Sequence, residues 1–60
     1  MSEEKWIVKW WNETQKGSVK YRRRIDAYRR LEVEFNGGLW SNVGVEDPNG
    51  EMVYERSRQV

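Results

Sequence analysis

Lys5 to Trp11 alternates as a pleated strand does, with Trp6, Val8 and Trp10 on one face and Ile7, Lys9 and Trp11 on the other. Both faces are partly apolar. Asn12 to Gly17 is polar and ends in glycine, which predicts a turn into a second strand over Ser18 to Arg24, where Val19 and Tyr21 alternate with Lys20 and Arg22. Pairing Trp10 with Val19 and Val8 with Tyr21 then makes a first hairpin. Leu31, Val33 and Phe35 alternate with Glu32 and Glu34, and Asn36-Gly37-Gly38 follows with residues that tolerate positive φ. A three-residue loop there keeps the apolar set together by pairing Phe35 with Leu39, Val33 with Ser41 and Leu31 with Val43. Asp47-Pro48-Asn49-Gly50 reads as a turn with proline preset at its second position, pairing Val45 with Met52 and Val43 with Tyr54.

Tyr21 to Phe35 supports two readings. Tyr21, Ile25, Tyr28, Leu31 and Phe35 also recur at helical spacing, with Asn36-Gly37 as a C-terminal cap. On that helix Arg22, Arg23, Asp26, Arg29 and Arg30 form the solvated face, and Arg22 with Asp26 and Arg30 with Glu34 stand at i,i+4. The preferred fold class is therefore mostly β, a small five-stranded antiparallel barrel or bent sheet with at most a short helical turn near 25–30. The alternative is α+β, a βαββ order with a helix at about 21–35.

With 60 residues the chain is expected to be a single small domain over 1–60, frayed at 1–4 and 58–60. Such a chain buries only about 60% of its unfolded surface, so the four tryptophans, three tyrosines and one phenylalanine must supply much of the core. Cysteine and histidine are both absent. That removes disulfides, the thiolate and imidazole ligands of structural zinc, and the commonest nucleophile and general base. Serine and threonine have no histidine to activate them. Asp47, Asn49, Gly50 and Glu51 lack the ligand spacing of a calcium loop. Gly37-Gly38 and Gly44 lack the lysine and the strand-to-helix context of a phosphate-cradling loop. The expectation is a non-enzymatic protein with no catalytic residues, no metal site and no cofactor. Apolar runs are too short for a membrane span or a signal-peptide core, so a soluble, cytoplasmic protein without a membrane partner is expected.

The net charge of +1 hides an asymmetry. Residues 1–30 hold nine Lys/Arg against four Asp/Glu, whereas residues 31–60 hold two against six. In the hairpin register Lys9, Trp11, Lys20, Arg22 and Arg24 share an outer face. Cations neutralise phosphates and a flat indole stacks on a base, so that face suits single-stranded nucleic acid. Lys9, Trp11, Lys20, Arg22, Arg24, Arg29 and Arg30 are the candidate nucleic-acid-binding residues. The bland reading of the same arginines is that they solubilise a small aromatic core and cover its tryptophans by cation–π contact.

Trp40, in the preferred register, stands outward among Glu34, Asn42 and Glu55 on a face that also shows Val53. Tryptophan is enriched at interface hot spots, so Trp40 and Val53 are candidates for a protein interface or a homodimer. The function read from these features is a small binding module contacting nucleic acid. Its rival is an adaptor or inhibitor, for instance a small virus-encoded one, that docks on an acidic or apolar surface of a partner protein. A net charge this near zero favours the rival, because nucleic-acid binders usually carry a larger positive excess.

Leu31-Glu32-Val33-Glu34-Phe35, followed by glycines, Trp40 and Val45, resembles the central hairpin of KTSC-type domains. That family's eponymous motif has no counterpart here and the chain departs from it beyond Asp47. No site residue or activity is carried over.

Overall fold

The computed structural model describes residues 4–58. The expected frayed ends at 1–3 and 59–60 lie outside the described residues. Within the described residues the Arg58 backbone N–H donates to the Ser41 carbonyl at 2.8 Å and its guanidinium lies 4.5 Å from the Phe35 ring centroid.

Strand β1 (Trp6–Trp11) and strand β2 (Lys16–Tyr21) form the first hairpin. A helix, α1 (Arg24–Asn36), follows, and then strands β3 (Asn42–Glu46) and β4 (Met52–Ser57). All strand pairs are antiparallel in one four-stranded sheet of order β2-β1-β3-β4. The architecture is mostly sheet with one helix, and the sheet is open rather than closed into a barrel. Among the described residues no helix is long and apolar enough to cross a membrane.

Helical spacing prevails over alternation in the ambiguous segment. As α1 it turns Ala27 and Leu31, four residues apart, into the core, where they are 0% and 1% exposed, and leaves Val33 63% exposed. As a strand the segment would have placed Leu31, Val33 and Phe35 on one side. The physical reason lies across the layer. Val8, Trp10, Val43 and Val45 make an apolar sheet face that needs a second layer, and one more strand at the edge would not cover it. The expected hairpin at Asn36-Gly37-Gly38, with the fifth strand and the resemblance built on it, is therefore not formed. Gly38, at φ +76°, turns the chain out of the helix in a conformation that side chains resist.

Both outer hairpins form, each two residues out of the expected register. In the first, the Asn12 carboxamide oxygen accepts the backbone N–H groups of Thr14 at 2.9 Å and Gln15 at 2.7 Å, closing a tight turn that brings Lys16 and Gly17 into β2. Val8 then faces Val19 and Trp10 faces Gly17. In the second, Asp47 accepts from Asn49 at 3.0 Å and Glu51 at 2.9 Å, and a bulge beside Val45 and Glu46 sets Val45 opposite Tyr54. A shift of two preserves which side each residue faces, except beyond the bulge, where Met52 pairs with Glu46 instead of Val45 and changes side.

Trp10 lies across Gly17 so closely that a Cβ there would come 2.8 Å from the indole Cε2. Only glycine admits the ring. Trp40 packs on the same ring at a centroid distance of 6.1 Å, and Tyr28 stacks on Tyr54 at 5.5 Å.

Candidate nucleic-acid interface

Because α1 covers the Val8, Trp10, Val43 and Val45 side of the sheet, the alternate residues of each strand form a second face with no layer over it. On β1 these are Ile7, Lys9 and Trp11; on β2 they are Lys16, Ser18 and Lys20, all three exposed. Asn42, Gly44 and Glu46 continue the face on β3, and Glu55 and Ser57 on β4. Trp11, half-buried, has Lys16 on one side and Asn42 on the other.

Trp11 is the shared wall of two neighbouring hollows. One, of about 460 Å³, is lined by Lys9, Trp10, Trp11, Lys16, Gly17 and Ser18. The other, of about 320 Å³, lies over the Asn12–Gln15 turn and includes Glu13. The first combines the Trp11 indole with the Lys16 ammonium and the Ser18 hydroxyl, a set that accepts a flat ring and an anion together. The carboxylate of Glu13 makes the second poorer for anions.

Charge on this face is divided across the sheet. Lys16 and Lys20 stand on the β2 edge, Lys9 on β1, Glu46 on β3 and Glu55 on β4. The basic first half and acidic second half of the chain become the two sides of one surface. Lys9 meets Glu46 at the boundary in an ion pair whose side chains are 41% and 18% exposed. Exposed pairs of this kind contribute about 0–1 kcal/mol, and the consequence here is that the Lys9 charge is largely offset. Among the described residues neither Lys16 nor Lys20 has an ion-pair partner.

The seven residues expected to bind nucleic acid are thus not one cluster. Lys9, Trp11 and Lys20 share the uncovered face. Arg22 is exposed in the link from β2 to α1, and Arg24 and Arg29 are exposed on the helix, in the layer behind the sheet. Arg30 is a structural group. Its Nε donates to Glu34 Oε2 at 2.7 Å, a terminal nitrogen donates to the Tyr21 hydroxyl at 3.3 Å, and its guanidinium lies 5.1 Å from the centroid of Trp10. The hydrogen bonds to Glu34 and then to Tyr21 raise its pKa above the usual value, so the charge is permanent.

Trp40 is likewise corrected. It is half-buried under the helix end against Trp10, and its Nε1 donates to Glu34 Oε1 at 2.9 Å. Its outward position depended on the strand that does not form. Val53 does stand exposed, at 46%, in β4. Sequence reasoning missed two groups. Lys16 falls in the expected turn, and it joins Ser18 and Lys20 in one row only because the turn is shorter and β2 begins at Lys16. The polar run Asn12 to Gln15, with asparagine first, was the available signal, since that residue caps turns through its own side chain.

Among the described residues no three acidic side chains gather as a metal site. No protein-family model, curated protein or solved structure matches the chain.

Proposed function

We propose that this chain is a non-enzymatic binding module that contacts nucleic acid through the β2 side of its uncovered sheet face. The observation that supports this most is the juxtaposition of Trp11 with Lys16 and Ser18 around an open hollow, with Lys20 further along β2 and neither lysine held by a carboxylate among the described residues. Lysines supply attraction to phosphate through counterion release, and the indole supplies a surface on which any base stacks, so binding is largely sequence-tolerant. Arg22 extends the positive region beyond the end of β2. A gel-shift titration at low salt tests the reading. Binding that weakens steeply with added salt, and weakens at every sequence alike in Lys16→Ala with Lys20→Ala, is the expected result. No shifted species at low salt overturns it.

One observation favours a second reading, a protein partner. Met52, Val53 and Tyr54 on the β4 edge, with Ile25 on the helix, expose apolar surface at 40%, 46%, 38% and 55%. Apolar residues gathered on an unpaired edge strand are a common docking feature. Pull-down with and without nuclease separates the two: a partner that survives nuclease belongs to the protein reading.

A further inference from the structure

We infer that the ligand runs as an extended single strand along β2, with successive phosphates over Lys16, Ser18 and Lys20 and one base in the hollow against Trp11; this rests on the nucleic-acid reading above. Lys16, Ser18 and Lys20 are alternate residues of one strand, so they form a straight row of donors repeating every ~6.7 Å. That repeat is close to the spacing of successive phosphates in a stretched single strand. A lysine, a hydroxyl and a second lysine are all ordinary phosphate ligands. Arg22, two residues further on and exposed, continues toward a next phosphate.

The acidic side of the face selects against a duplex. From β2 to β4 the sheet measures ~14 Å across, less than the width of double-stranded nucleic acid, so a duplex centred on the lysines would set phosphates over Glu46 and Glu55. Paired bases are also turned inward, out of reach of Trp11. A single strand kept over β2 avoids both carboxylates and presents its bases toward β1. Lys9, already matched by Glu46, borders the hollow without adding a free charge.

The test uses the full chain, fluorescein-labelled oligothymidylate of about ten nucleotides, and a duplex of the same length, with anisotropy read from low to moderate salt. The single strand is expected to bind about tenfold or more tightly than the duplex, and Trp11→Ala to lose about tenfold while Trp11→Phe retains most of the affinity. Lys16→Ala and Lys20→Ala should each reduce the slope of log affinity against log salt by about 0.7, and Arg29→Ala, on the helix behind the sheet, should leave it unchanged. Thermal melting of each variant establishes that it is folded, and Trp11→Phe carries the stacking test if Trp11→Ala does not fold. Equal or tighter duplex binding, unaltered affinity in Trp11→Ala, or a slope change in Arg29→Ala as large as in Lys20→Ala overturns the path while leaving nucleic-acid binding standing. Failure of both probes to bind at low salt overturns the path and the underlying reading together.

Discussion

The two faces of the sheet are made by the same strands, residue by alternate residue, and they are held in opposite ways. On the covered face Val8, Val43, Val45, Ala27 and Leu31 are sealed, and the polar groups at the rim are engaged. Glu34 receives both Arg30 and the Trp40 indole there, and Arg56 lies over Phe35 at 4.2 Å while reaching Glu32 at 3.1 Å. On the uncovered face the one ion pair is Lys9 with Glu46 among the described residues, and Trp11 has strand neighbours but no layer above it. Buried apolar packing therefore resides on one side and unpaired lysines with a half-buried indole on the other. In an antiparallel sheet this division is available at every strand, because successive side chains point opposite ways.

Substitutions on each face should separate stability from binding. Leu31→Ala, at the centre of the covered face, should cost about 2–5 kcal/mol, enough to unfold much of so small a domain; chemical denaturation measures it. Gly17→Ala, which puts a methyl group into the Trp10 ring, should cost about 1–3 kcal/mol and shift the near-ultraviolet signal of the tryptophans. Glu34→Gln should cost about 1 kcal/mol, since it weakens the bond to Arg30 and retains an acceptor for Trp40. Smallest of all, Trp11→Phe should change the unfolding free energy by less than about 0.5 kcal/mol, as a conservative swap on a half-buried strand position. If Trp11→Phe destabilises as much as Gly17→Ala, the two faces do not divide the work and Trp11 belongs to the core.

How far the sequence was legible follows from the range of the interactions involved. The alternation of Trp6 to Trp11 specified which residues share a side, and that assignment survives a register error of two because the period of a strand is two. The Asp47-Pro48-Asn49-Gly50 turn was legible from its own four residues. The segment from Tyr21 to Phe35 was not, since its apolar residues satisfy both periods and only the requirement to cover a distant sheet face distinguishes them. Trp40 was misplaced for the same reason, and Arg30 went with it, because the Glu34 that holds both lies on the helix.

By itself the chain determined the first hairpin's faces, the Asp47-Pro48-Asn49-Gly50 turn and the basic-to-acidic asymmetry, none of which depends on contacts between distant segments. Tertiary structure alone decided that 24–36 is helical, that β1 lies between β2 and β3, that Glu46 answers Lys9 across 37 positions of sequence, and that Lys16 and Lys20 stay unmatched. Those outcomes turn on which apolar surfaces meet, and burial is non-directional: it rewards any arrangement that excludes water, so local pattern cannot choose among them.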